Sequence, residues 1–337
     1  MNELFINGLK QRIATPKKVV ILPYRNADGD ALGSTLALQH FLIKMNHETV
    51  VISPNGYPGF LKWLPGEDQI LKYSHTPKIV RDKIREADLI FTLDFNSLSR
   101  IEDLTEVVRN AAGEKIMIDH HEAPEDYAVL QYSDPNMSST CEMVYKLIKK
   151  LDENAIDENI ANCLYTGMMT DTGSFRYAST TSETHKAIAH LIEAGANGTE
   201  IHQNIYDSSS FSRLKLLGIT LSNLIQIPNL PIVFMSLNQS ELESCEYKKG
   251  DTEGFVNYGL TLKGIVFSCI MIENESDGKI KMSFRSQGAF SVNDFARTYF
   301  SGGGHHNAAG GMSMDSMEKT IDRFKKAVSE VSDQFQQ

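Results

Sequence analysis

Cysteine is scarce in this chain: Cys141, Cys163, Cys245 and Cys269 are the four in 337 residues, with no Cys-x-x-Cys pair. That excludes a disulfide framework and a cysteine zinc site; the thiols lie in apolar stretches such as "GIVFSCIMI" and read as reduced and buried. Long apolar runs are lacking too, none approaching the roughly 18 residues that cross a bilayer. The start "MNELFINGLKQRIATPKK" does not join a basic segment to an apolar one as a secretion signal does. A cytoplasmic protein without a membrane partner is the expectation. Positive charge is short as well, 33 Lys and Arg against 43 Asp and Glu, a formal charge of -10. Such a balance is wrong for coating a long duplex through its phosphates, so a polyanionic partner is small or gripped at one end.

Internal repeats and low-complexity segments are absent, and the organisation rests on hydrophobic periodicity. Up to about Asp171, short apolar runs ("KVVIL", "TVVIS", "DLIFTLDF", "KIMIDHH") alternate with helical patterns such as Leu38, Phe41, Leu42 and Met45. This predicts an α/β domain with a mostly parallel sheet, residues 1–207. A polar serine run opens a connector at 208–224. Residues 225–337 read as a smaller α+β domain: three strands ("LPIVFMSLN", "GIVFSCIMIEN", "KIKMSFRSQ"), a helix over "SVNDFARTYF", a loop "SGGGHHNAAGG" and a closing helix from about Ser316. Exposed apolar side chains in the connector would allow a homodimer.

The strand-to-helix turn after "VVIL" lacks the glycine-rich phosphate cradle common there and carries Asp28 and Asp30 instead. Asp94 closes a second strand, Asp119 with His120 and His121 a third, and Asp171 a helical segment. One aspartate at a strand end is an ordinary cap or turn residue. Several at successive ends, where open α/β sheets bind ligands, would repel one another unless a divalent cation or two compensated. Oxygen donors with a minority of imidazole suit Mn²⁺ or Mg²⁺, and such ions clamp phosphoryl oxygens in hydrolysis. In the second domain, Gly302 to Gly304 could let amides approach an anion, Arg285 could grip a phosphate through paired hydrogen bonds, and His305 adds a donor.

Five stretches in order, "NADGDALGS", "LDFNS", "IDHH", "MMTDTGSFRY" and "FRSQGAFSVNDFARTYFSGGGHHNAAGG", resemble the motifs of the DHH phosphoesterases with a C-terminal DHHA1 domain. The resemblance implies a parallel-sheet DHH domain, a smaller DHHA1 domain and an active-site cleft between them. It implies that Asp30, Asp94, His120 and Asp171 hold one Mn²⁺, and that Asp28 and Asp94 hold a second, with Asp94 bridging. Asp119 would orient an imidazole. His121 would hydrogen-bond a phosphate oxygen, protonate the leaving group or simply pack beneath the site. Arg285, Gly303, Gly304 and His305 would bind the substrate's terminal phosphate. The implied substrates are short single-stranded oligoribonucleotides, cleaved to mononucleotides, and 3'-phosphoadenosine 5'-phosphate, cleaved to AMP and phosphate. A rival is a phosphodiesterase for pApA or cyclic di-AMP. Phe175, Tyr177 and Tyr258 are candidates for stacking on a base.

The chain departs from that family in the opening stretch, where Tyr24 replaces a common histidine and Ala27 a proline. A phenol is a poor Mn²⁺ ligand at neutral pH, so the second metal should bind weakly. The reading from a different class follows from this: a non-catalytic nucleotide-binding protein with one impaired metal site.

Overall fold

β-Branched runs become strands wherever both sheet faces can be covered. In the computed structural model, which describes residues 3–248, 250–274 and 278–335, the chain forms two units, Met1–Ser208 and Ser209–Gln337. The first begins with α1 (Glu3–Arg12), β1 (Lys18–Leu22), α2 (Gly29–Lys44), β2 (Glu48–Ser53) and β3 (Leu71–Lys72). It continues through α3 (Pro77–Glu86), β4 (Leu89–Leu93), α4 (Thr105–Arg109), β5 (Glu114–Asp119) and β6 (Leu130–Ser133). Helices α5 (Thr140–Leu151), α6 (Glu158–Asp171), α7 (Ser182–Glu193) and α8 (Gly198–Tyr206) complete it.

The strands are parallel, in the order β3-β2-β1-β4-β5-β6. Side-chain alternation sends Val19, Ile21, Phe91 and Leu93 into one buried cluster and Val20, Leu22 and Ile90 into another, so both faces are covered. Strand order reverses between β1 and β4, and at such a switch point the loops diverge and leave a crevice beyond the strand ends. Helix α2 starts there and lies close against α6. A Cβ on Gly33 would fall 2.4 Å from the Cys163 carbonyl oxygen, and one on Gly29 2.5 Å from Thr170 Oγ1. These glycines let the first two turns of α2 pack directly on α6. The short edge strands β3 and β6 were not legible in the sequence.

The second unit contains α9 (Phe211–Ser222), β7 (Ile225–Gln226), β8 (Ile232–Leu237), α10 (Gln239–Ser244), β9 (Phe267–Asn274) and β10 (Lys279–Ser286). It ends with α11 (Val292–Tyr299), β11 (Gly303–His305), β12 (Ala308–Ser313) and α12 (Met317–Glu330). Its sheet is mixed, in the order β11-β12-β10-β9-β8-β7, with β8 and β9 parallel. A phenylalanine-rich core, Phe234, Phe267, Phe284, Phe295, Phe300 and Phe324, lies under α11 and α12.

The stretch 208–224 is mostly helix α9, in keeping with its helix-compatible pattern, and its Leu216 is buried with Met235, Leu237 and Leu242. One segment differs from the sequence reading. The glycine-rich stretch read as a loop is the β11–β12 hairpin. Its glycines serve close packing: a Cβ on Gly302 would lie 1.9 Å from the Gly310 carbonyl oxygen, and one on Gly311 2.9 Å from the Phe284 ring. No helix among the described residues is long and apolar enough to cross a membrane.

Candidate metal centre

The acidic residues of the first unit converge at the switch point. Asp28 caps α2, its Oδ1 accepting the amides of Asp30 and Ala31 at 3.0 Å each. Asp30, in the first turn of α2, is buried, and both its oxygens meet the start of α5. Oδ2 accepts the Thr140 amide at 2.6 Å and Oδ1 the Cys141 amide at 2.8 Å. The positive end of α5 thus offsets part of the cost of burying that carboxylate. Asp94 directly follows β4 with φ of +66°, a left-handed conformation that aspartate tolerates better than most residues. Its amide donates to the Ile118 carbonyl at 3.0 Å, and its Oδ1 accepts the Thr140 hydroxyl at 2.9 Å.

His120 follows β5. Its Nδ1 lies 3.2 Å from the Met137 carbonyl, which turns Nε2 toward the carboxylates. That nitrogen is 3.4 Å from Asp94 Oδ1, 3.5 Å from Asp171 Oδ2 and 3.9 Å from Asp30 Oδ2. Asp171 ends α6, where the helix dipole disfavours a carboxylate. Ligand atoms of Asp30, His120 and Asp171 lie within 4.8 Å of one another, as do those of Asp94, Asp119 and His121. Asp119 pairs with His121 rather than His120: Asp119 Oδ1 lies 2.7 Å from His121 Nδ1. The other Asp119 oxygen is buried and, among the described residues, has no hydrogen-bond partner.

These surroundings move the titrations in a consistent way. Burial, reinforced by Asp28, raises the Asp30 carboxyl; burial, reinforced by Asp30, raises Asp94 well above its ordinary range. Burial works against charging His120, but Asp171, Asp94 and Asp30 outweigh it and hold the imidazole well above its usual value. Without a cation, Asp30, Asp94 and His120 hold protons more tightly than they would in water; the donor set is what a divalent metal needs, oxygen atoms and one imidazole nitrogen converging from different elements. Burial lowers His121, so its ring is neutral near pH 7. Tyr24 is raised well above 10 by burial and then by Asp28, so its phenol keeps its proton.

Thr140 and Met137, which hold Asp30, Asp94 and His120, carry no chemistry of their own and gave no signal in the sequence. Of the stacking candidates, Phe175 packs edge-on against Tyr165, with ring centres 5.9 Å apart. Tyr177 and Tyr258 are exposed.

In the second unit, Arg285 on β10 pairs with Ala308 on β12, which pairs with His305 on β11, so Arg285 and His305 share one register row across three strands. Gly303 and Gly304 lie in the same short strand. Two amides of the glycine run are already engaged: Gly304 donates to Asn293 Oδ1 at 2.9 Å and Gly302 to the Ala296 carbonyl at 3.1 Å.

Comparison with known proteins gives this geometry a family. The model of the DHH family, N-terminal domain, matches residues 18–168, and that of the DHHA1 domain matches residues 243–334. The chain is 29% identical to the bifunctional oligoribonuclease and PAP phosphatase NrnA of Thermus thermophilus, over 93% of this chain and 89% of that protein. It is 26% identical to the Bacillus subtilis protein of the same name, over 87% and 88%. A crystal structure of an exopolyphosphatase-related protein from Bacteroides fragilis superimposes with a TM-score of 0.96 at 39% identity, covering 100% of this chain and 98% of that one. The chain belongs to the DHH family of metal-dependent phosphoesterases, in the branch that carries a DHHA1 domain.

Proposed function

We propose that this chain is a Mn²⁺-dependent hydrolase that cleaves short single-stranded oligoribonucleotides to mononucleotides and 3'-phosphoadenosine 5'-phosphate to AMP and phosphate. The observation that carries the reading is the meeting of Asp30, Asp94 and Asp171 around His120 Nε2, between 3.4 and 3.9 Å away. The names of the Thermus thermophilus and Bacillus subtilis relatives support the choice of substrates.

Asp30, Asp94, His120 and Asp171 would hold one ion and Asp28 with Asp94 a second, weaker one. Bound there, such ions polarise phosphoryl oxygens and acidify water. The chain's own residues do the positioning. The amides of Thr140 and Cys141 fix Asp30, and the Thr140 hydroxyl fixes Asp94. Asp119 holds His121 in the tautomer with a proton on Nδ1, and a neutral ring suits His121 to accept a proton rather than to donate one. Arg285, Gly303, Gly304 and His305 would bind the terminal phosphate of the substrate.

Incubation with pApA, a short oligoribonucleotide and 3'-phosphoadenosine 5'-phosphate in Mn²⁺, with cyclic di-AMP assayed alongside them, tests this. Release of AMP from 3'-phosphoadenosine 5'-phosphate and of mononucleotides from the oligonucleotide, both abolished in Asp94→Ala, is the expected result. No turnover of any of the three would remove the enzyme reading. Cyclic di-AMP cleaved faster than all of them would replace the substrate assignment.

A further inference from the structure

Arg100 sits beside the acidic centre without pairing to it. The residue is half-buried in the turn after β4, and its guanidinium carbon lies 4.7 Å from the centre of the Tyr24 ring. Among the described residues it makes no ion pair and its side chain donates no hydrogen bond, unlike Arg12, which takes Glu114, or Arg85, which takes Asp82. Its positive field nevertheless reaches both Tyr24 and His121. Tyr24 lies in the loop between β1 and the α2 cap Asp28, so the guanidinium stacks on the segment that leads into the acidic turn.

The turn is clamped in this position. The Arg25 amide donates to the Arg100 carbonyl at 3.0 Å, and the Arg25 side chain pairs with Glu102. Both joined segments contain residues in unusual conformations, Asn26 with φ of 62° and Glu102 with φ of 43° and ψ of -108°. Strain of this kind persists where surrounding contacts over-determine the backbone. The Arg25 contacts hold the turn that carries Arg100 against the segment that carries Tyr24.

We infer that Arg100, carried on Tyr24, is a phosphate-binding residue of this centre. A guanidinium stacked on a ring keeps its edge donors available and meets phosphoryl oxygens through paired hydrogen bonds. The ligand class rests on the phosphoesterase reading above.

The test is calorimetric titration of the Mn²⁺-loaded full chain with inorganic phosphate, for wild type, Arg100→Met, Arg100→Lys, Tyr24→Phe and Tyr24→Leu. Arg100→Met should raise the phosphate Kd about tenfold or more, the loss expected for a charge-assisted contact. Arg100→Lys should recover part of it. Tyr24→Phe, which keeps the ring, should stay close to wild type, whereas Tyr24→Leu should follow Arg100→Met. Mn²⁺ binding without phosphate, measured by electron paramagnetic resonance, should not change in Arg100→Met. Equal phosphate affinity in wild type and Arg100→Met, or loss of Mn²⁺ binding in Arg100→Met, overturns the inference; so does failure of the wild type to bind phosphate. If wild type binds phosphate through Arg100 yet hydrolyses no nucleotide, the proposed function fails and this inference stands.

Discussion

Thr140 joins two carboxylates that lie far from it in sequence: its amide donates to Asp30 at 2.6 Å and its hydroxyl to Asp94 at 2.9 Å. Thr140→Val keeps the amide and removes the hydroxyl, leaving Asp94 Oδ1 without that donor. Mn²⁺ affinity should fall about tenfold, the lower end of what loss of a ligand-orienting partner costs. Thr140→Ser should stay near wild type. Titration followed by electron paramagnetic resonance reads this, and an unchanged Kd in Thr140→Val would show that the hydroxyl does not hold Asp94.

Gly167 is the tightest point of the helix contact beneath the centre. A Cβ there would lie 2.1 Å from Cys141 Sγ and 2.8 Å from Asp30 Oδ1. Gly167→Ala should destabilise the protein by about 1–3 kcal/mol, the usual cost of overpacking, and should weaken Mn²⁺ binding because Asp30 must move. Adding Cys141→Ala should return part of the stability by clearing the nearest atom. Chemical denaturation of the single and double variants measures the recovery, and none would place the strain elsewhere.

The metal-free protein should lose stability as pH rises. Asp30, Asp94 and His120 all titrate above their ordinary values in the folded chain. The folded state therefore holds protons that the unfolded state has released. Each contribution is complete below the unfolded pKa, about 4 for aspartate and 6.5 for histidine, and is lost as pH rises through the folded value. Metal binding needs the deprotonated groups, so it reverses the trend. The Tm difference between Mn²⁺-loaded and EDTA-treated protein should widen from pH 5.5 to 8.5. A constant difference would contradict the assignment of these groups to the metal.

Much of this centre was legible because strand ends announce themselves. Apolar runs such as "DLIFTLDF" show where β4 stops, and an aspartate at the stop needs no partner to be noticed. Its supporting contacts were not legible. Thr140 meets Asp30 across 110 positions and looks in sequence like any helix-start residue. Arg100 reads as an ordinary turn cation until Tyr24 is found under it. The β11–β12 hairpin was hidden by its own composition: the glycines that suggest a loop are what let strands pack at contact distances too short for a side chain. Pairing of Asp119 with His121 rather than His120 depends on ring orientation, which two adjacent histidines in a sequence do not reveal.

The most direct measurement is titration of EDTA-stripped protein with Mn²⁺, recording bound metal and AMP release from 3'-phosphoadenosine 5'-phosphate in the same samples, for wild type and His120→Ala. The account predicts that AMP release rises in step with bound Mn²⁺ in the wild type and falls at least about a hundredfold in His120→Ala, together with metal binding. Turnover that persists in the stripped protein, or that His120→Ala leaves at the wild-type rate, would contradict it.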